Sequence, residues 1–317
     1  RQTTPFRQDI KQPYFALYAQ DTWRVSPNVT FNYGARWEPW FPQDSVDKAV
    51  YTFDVDRMRA GIRSTVYPQA PAGLYYPGDP EFPGNSGMKT VWSNFAPRVG
   101  VSWDPNGDGR TSLRAGYGLT GDFVTGQFFF DSRSAPPFGL EQRLTNTRLD
   151  DPWGAVGRAN PYPVPIGGSN YPYSAALYSL FISMPADIKT TRNHSWNVAF
   201  QRQIGDHMAY SATYLGNHMV NMWGVVDGNP GVIPAGASPT GPCTLALPTG
   251  GTQTFANCST ATLDLRRELS QQNPSVGQYY GYLDWITDAG WQDYHGLLLS
   301  VQRRSAGGIT TSANYTI

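Results

Sequence analysis

From Val29 to Glu38 apolar and polar residues alternate one by one. Val29, Phe31, Tyr33, Ala35 and Trp37 fall on one side, and Thr30, Asn32, Gly34, Arg36 and Glu38 on the other. A period of two sends successive side chains to opposite faces of a β-strand. The same alternation returns in seven further segments, so strands are expected near residues 14–25, 29–38, 94–104, 111–120, 195–204, 208–217, 294–303 and 309–317. In the third, Val99, Val101 and Trp103 oppose Arg98, Gly100 and Ser102; in the sixth, Met208, Tyr210, Ala212 and Tyr214 oppose Ala209, Ser211 and Thr213. Asp21 interrupts the apolar side of the first strand, and Leu298 blurs the seventh.

The eight segments form four pairs. Within a pair the link is short and turn-like: Ser26-Pro27-Asn28, Asn106-Gly107-Asp108-Gly109, Gly205-Asp206-His207 and Ala306-Gly307-Gly308. Such residues suit the positive-φ positions of tight hairpins. Between pairs the links are long, about residues 41–92, 123–192 and 220–293. Loops of that length are rare in compact domains and usually functional. Short turns at one end and long loops at the other are the asymmetry of outer-membrane barrels. The expected fold is therefore all-β: an antiparallel meander of about eight strands in four hairpins, part of a large transmembrane β-barrel with long extracellular loops. Trp23, Trp37, Trp103, Trp196, Tyr14 and Tyr315 stand at strand ends, where interfacial girdles form. A soluble sandwich also alternates, but its turns come every 8–12 residues or so, and a propeller repeats about every 40–45.

Composition supports this reading. Only 15% of the 317 residues are charged, 14% are aromatic, and glycine (33) and proline (26) are plentiful. That profile suits strands better than helix bundles or disorder. A formal net charge of +0 gives no electrostatic reason to expect nucleic acid as a partner. The longest mainly apolar run, Ala175 to Met184, is too short for a transmembrane helix. A membrane location then requires a barrel, because only helices and closed barrels satisfy their backbone in lipid. The chain opens at Arg1-Gln2-Thr3-Thr4 without a signal peptide and stops at Ile317 within an alternating stretch, so it is expected to be a piece of a longer protein.

The segment Tyr18-Ala19-Gln20-Asp21-Thr22-Trp23-Arg24-Val25-Ser26-Pro27-Asn28-Val29-Thr30, continued by Gly34-Ala35-Arg36-Trp37-Glu38, resembles the barrel of TonB-dependent transporters, closest to the Oar-like subgroup. Asn94-Phe95-Ala96-Pro97-Arg98-Val99-Gly100, Trp103-Asp104-Pro105, Arg114-Ala115-Gly116-Tyr117-Gly118 and Trp196-Asn197-Val198 fit the same pattern, as do Pro71 to Asp79 and Tyr294-His295-Gly296-Leu297. Each motif is weak alone; their order along nearly the whole chain is more specific. The resemblance implies a barrel of about 22 strands, plugged by an N-terminal domain of the same protein and driven by the TonB energising complex. It implies import of a scarce extracellular ligand across the bacterial outer membrane. Residues 1–317 would be part of that barrel, without the plug or the closing C-terminal strands.

Candidate chemistry is sparse. Asp104-Pro105-Asn106-Gly107-Asp108-Gly109 mimics the start of a calcium loop, but its twelfth position is Ala115 where a bidentate Glu is needed, so a hairpin turn is expected. Cys243 and Cys258 are the only cysteines and share one long loop. In an oxidising compartment they would close a loop of about 15 residues, worth roughly 3 kcal/mol, so a disulfide is expected. The histidines His194, His207, His218 and His295 are scattered without ligand spacing, and no metal site is expected. Arg24, Arg36, Glu38, Arg98 and Arg114 fall on the polar side of their strands, as lumen-facing charges would. Among the loop aromatics, Tyr75, Tyr76, Phe129, Trp153, Trp223, Tyr280 and Trp285 are candidate ligand contacts, although aromatics more often pack loops into a cap. No nucleophile elbow, zinc motif or phosphate loop is present, so neither an enzyme nor a cofactor is expected. Two other functions share the alternation: a passive porin-type channel, and a soluble or surface-attached all-β adhesion module.

Overall fold

A computed structural model describes residues 2–3, 9–122, 132–142, 144, 147–157, 159–163, 166–173, 180–304 and 308–317. The wall consists of eight strands: β1 (Leu17–Ser26), β2 (Val29–Trp37), β3 (Phe95–Trp103), β4 (Thr111–Gly121), β5 (Arg192–Ile204), β6 (Met208–Asp227), β7 (Tyr282–Arg304) and β8 (Thr310–Thr316). Each pairs antiparallel with its sequence neighbours, giving one continuous meander. A short strand, Leu180–Ser183, lies parallel against the upper end of β7.

The turns follow their sequences. Gly107, Gly109 and Gly205 have φ between 59° and 70°, a conformation that disfavours side chains. Asp104 Oδ1 accepts from the backbone N–H of Gly107 at 3.0 Å, and Asp104 Oδ2 from Gly109 at 2.8 Å. The calcium-like motif is thus a turn closed on its own aspartate.

Two strands are longer than the alternation suggested. β6 reaches Asp227 rather than about 217, and β7 begins at Tyr282 rather than about 294. The third long loop correspondingly shrinks. Register shifts lie between Met219 and Met222 and between Met222 and Gly224. A bulge breaks the period of two that marks a strand in sequence, so pairing continues where alternation stops.

Across the wall the register stacks like side chains into rows. Trp23, Phe31, Val101, Ala115, Val198, Tyr214 and Leu297 form one such row from β1 to β7. Thr22, Asn32, Gly100, Gly116 and Asn197 form a row on the opposite face. The apolar rows stay uncovered: Trp23 is 58% exposed and Val198 50%, and Phe95, Val99, Val101, Trp103 and Phe200 are exposed too. Large apolar side chains left exposed row after row on one face are the mark of a surface that meets lipid or another protein rather than water.

The buried core lies elsewhere, among the long loops. One cluster joins Tyr51, Phe53, Met58, Leu74 and Tyr76 of the first loop to Ala135, Phe138 and Phe181 of the second and Leu269, Tyr280 and Leu283 from the third. A second joins Trp40, Val50, Phe82 and Met88 to Ile182, Met184, Ile188 and Ile286. The molecule is a bare sheet carrying a folded cap at one end.

Candidate functional site

The polar face of the wall carries the charges singled out in the sequence. Arg24, Thr30, Ser102 and Arg114 share one row near the short turns. Arg98 stands beside Gly34 in the register, and Arg36 beside Tyr18. Arg36 pairs with Glu38, and the Tyr14 hydroxyl donates to Glu38 Oε1 and accepts from Arg36 Nη2, both at 2.6 Å. Arg24 Nη2 donates to the Pro27 carbonyl (3.2 Å), and Arg114 Nε to Ser112 Oγ (3.2 Å). Arg36 and Arg98 border a cavity of about 180 Å³ with Tyr18 and Gln20. Gly34, Gly100, Gly116 and Gly118 keep the surface between these arginines shallow, and a Cβ on Gly34 would meet the Ala19 carbonyl at 2.7 Å.

The opposite face ends in aromatics at both levels. Trp23 and Trp103 lie by the short turns. Trp37 is eight residues from Val29 (37 − 29), Phe95 eight from Trp103 (103 − 95) and Trp196 eight from Ile204 (204 − 196). At about 3.3 Å per residue and a tilt near 40°, that is roughly 20 Å above the turns, close to the height of an outer-membrane apolar band. Trp37 stacks on Trp92 and Phe95, with ring centroids 6.4 and 6.2 Å apart, and meets Phe15 edge-on.

The cap fuses the three loops. The Phe53 and Phe181 rings flank Tyr280 at 4.7 and 5.4 Å, and the Tyr280 hydroxyl donates to the Ala72 carbonyl at 2.6 Å. Thr52 Oγ1 donates to the Met184 carbonyl and accepts from the Met184 N–H at 2.8 Å, while Ser183 Oγ donates to the Phe53 carbonyl. Asp79 is a buried hub within the first loop, accepting from Ser64 Oγ (2.6 Å), Thr65 N (2.6 Å), Thr65 Oγ1 (2.8 Å) and Tyr76 N (2.9 Å). Burial alone would raise its carboxyl, but these donors outweigh that and hold it below the usual carboxylate range. Burial pushes the tyrosines up: Tyr171 to about 12, and Tyr76, Tyr173 and Tyr280 well above the ordinary phenol range. In the third loop Arg267 donates to the Asn229 carbonyl (2.8 Å), pairs with Asp264 and lies over the Tyr282 ring, with its guanidinium carbon 4.3 Å from the centroid.

The candidate ligand aromatics separate into groups. Tyr76 and Tyr280 are fully buried, and Trp153 is buried as well. Tyr75 and Trp223 are half-buried; Arg57 covers Tyr75, and Trp223 Nε1 donates to the Lys189 carbonyl. Trp285 is 45% exposed and borders a cavity of about 510 Å³ with Pro185, Ile188, Val226, Asp187 and Asp288. Phe129 lies outside the described residues. The two carboxylates at that cavity lie in segments with no alternation, so the sequence reading passed over them. Cys243 and Cys258 form a disulfide, Cα atoms 5.3 Å apart, beneath a hairpin of Cys243–Ala246 and Thr252–Phe255.

The sheet also gathers histidines that are far apart in sequence. His194, His218 and Asp293 are direct cross-strand neighbours on β5, β6 and β7, with His295 one row nearer the turns. Only the register, which brings 194 opposite 218 and 218 opposite 293, reveals the grouping.

The family model described as outer membrane beta barrel domain matches residues 1–317. No curated protein matches the chain. Among solved structures, the siderophore receptor PirA from Pseudomonas aeruginosa is similar at 12% identity and a TM-score of 0.38, over 95% of this chain and 34% of that one. A mutant ferric enterobactin receptor, PfeA, also from Pseudomonas aeruginosa, is similar at 13% identity and a TM-score of 0.42, over 96% and 26%. The Serratia marcescens hemophore receptor HasR is similar at 13% identity and a TM-score of 0.41, over 95% and 33%. The chain thus spans about a third or less of these structures' lengths.

Proposed function

Because this chain belongs to the outer membrane beta barrel domain family, we propose that it forms part of the barrel wall of a TonB-dependent receptor, of the Oar-like kind, that imports a scarce extracellular ligand. The carrying observation is the division of labour between the two ends. A two-faced sheet with an uncovered apolar side meets a folded cap built from all three long loops. A lipid-facing wall explains the uncovered side. A cap with its own core would offer a structured surface to an arriving extracellular ligand, which a simple sieve does not need.

In this reading Arg24, Arg36, Glu38, Arg98 and Arg114 face the lumen and hold an N-terminal plug domain through charge pairs and hydrogen bonds. The shallow glycine surface between them lets the plug backbone approach closely. Of the loop aromatics, Trp285 offers a ring face beside an open cavity. Tyr75 and Trp223 offer partial faces, whereas Tyr76, Trp153 and Tyr280 serve the cap's interior. Transport then proceeds by capture and gating, without covalent chemistry.

The test is electrical and needs no ligand. Full-length protein inserted into planar bilayers should carry no steady ion current, because a plugged receptor is closed at rest. A permanently open, porin-sized conductance would overturn the import reading.

A further inference from the structure

We propose that His194 and His218 form a two-histidine binding site for a divalent first-row transition-metal cation, on the apolar face of the wall at the level of its upper girdle. The two residues are direct partners across β5 and β6, and their ring centroids stand 6.2 Å apart. Imidazoles joined through one metal by bonds of about 2.0–2.1 Å stand no more than about 6.4 Å apart, centroid to centroid. That limit is reached only when the two rings are collinear through the metal. The observed 6.2 Å therefore corresponds to an N–metal–N angle of about 150°, the near-trans arrangement of a tetragonal copper(II) or nickel(II) site rather than the tetrahedral angle of zinc.

The second reason is what holds each ring. His194 Nδ1 is engaged by the Tyr117 hydroxyl at 2.8 Å, and His218 Nδ1 by Asp293 Oδ1 at 2.5 Å. A ligating histidine characteristically binds metal through one nitrogen while the other is held by a carboxylate or a similar partner. Here both Nδ1 atoms are held, and both residues remain open to the surroundings. The Nε2 atoms are left to supply the ligands. Asp293 adds the negative charge that favours a cation over an anion.

The site is a pair. No group of three His, Cys, Asp or Glu side chains suited to a metal forms among the described residues. His295 is engaged by the Tyr214 hydroxyl at 2.7 Å and meets Trp196, which lies over Gly216, the residue beside it in the register. Interfacial water completes the coordination sphere, as the height permits: His194 is ten residues up β5 from Ile204 (204 − 194), about 25 Å above the short turns at the same rise and tilt. Imidazole donors disfavour magnesium and calcium, and the wide angle favours copper or nickel over zinc.

The experiment uses full-length protein purified from outer membranes in detergent, stripped with chelator and titrated with copper(II) sulfate under electron paramagnetic resonance. One tight Cu²⁺ per chain, with superhyperfine splitting from two imidazole nitrogens, is expected. His194→Phe and His218→Phe should each abolish the two-nitrogen signal, since a phenyl ring suits that face and preserves folding, checked by heat-modifiable gel mobility. His207→Phe, in a short turn, should leave the signal intact. Asp293→Asn should weaken affinity about 10- to 100-fold while keeping the same spectrum. Wild-type protein without imidazole coupling, or a folded His194→Phe/His218→Phe double variant with unchanged copper affinity, would overturn the proposal.

Discussion

Tyr33 and Asn32 are adjacent in sequence and opposite in consequence. Tyr33 stands in an apolar row with Val99 and Tyr117; Asn32 accepts a hydrogen bond from Thr22 Oγ1 at 2.8 Å on the other face. Replacing Tyr33 or Val101 by Arg puts a cation into lipid at a cost of about 2–4 kcal/mol, so barrel assembly should fall sharply in a heat-modifiability assay. Asn32→Arg should assemble nearly normally, and equal damage from both faces would refute the sidedness. Asp79 gives the corresponding residue-scale prediction for the cap. Asp79→Ala strands the buried Ser64 hydroxyl and Tyr76 N–H and releases Thr65, at a combined cost of about 3–5 kcal/mol, and trypsin should then cut at Arg63. The sign of its pH dependence follows from the depressed carboxyl. The stability it contributes is present above the ordinary carboxylate value of about 3.9 and is lost as pH falls through the lower folded value. Wild-type protease resistance should therefore hold at pH 5 and fail only in stronger acid, whereas Asp79→Ala should be sensitive throughout.

At the scale of elements, alternation revealed strands wherever lipid lies on one side and water on the other. β1 to β5 match their expected spans within a few residues because that contrast runs along their whole length. It ends on β6 and β7 above the girdle. There the strands are solvated or covered by the cap on either face, so side-chain polarity no longer encodes direction. The upper third of the sheet was illegible for that reason, not from weak pairing: Val225, Val226 and Asp227 still pair with Ile286, Trp285 and Asp284. The same holds for Leu180–Ser183, an apolar stretch whose parallel partner lies about a hundred residues on (282 − 180 = 102). The disulfide hairpin was legible only as two cysteines in one loop. Its small core, Cys243, Leu245 and Cys258, stands apart from the two main clusters. Cys243→Ala together with Cys258→Ala should therefore destabilise this hairpin by about 3 kcal/mol and open it to proteolysis within 237–265. The mobility of the barrel should be unchanged; a loss of barrel folding would mean that the hairpin supports more than itself.

For the whole molecule, the deciding fact is where hydrophobic burial occurs. The wall leaves its apolar surface for lipid, so the interior core that a soluble protein builds between layers is here displaced into the loops. The sequence showed many loop aromatics but not their meeting points, because contacts such as Phe53 with Tyr280 join positions more than two hundred apart (280 − 53 = 227). Once joined, the three loops cannot open one at a time without exposing a shared interior. Tyr280 tests this. It is 1% exposed, touches Phe53 of the first loop and Phe181 of the second, and donates to the Ala72 carbonyl. Tyr280→Ala removes a large buried ring at about 3–5 kcal/mol, by analogy with other aromatic truncations. If the cap is one cooperative body, that change raises hydrogen exchange in all three loops together, including residues 50–76 and 180–184, which are remote in sequence from the substitution. Tyr280→Phe keeps the packing and loses only the hydroxyl bond, so its effect should be about 1 kcal/mol and equally shared. Exchange confined to the third loop would instead mean three independent flaps, and ligand entry would then need only one of them to move.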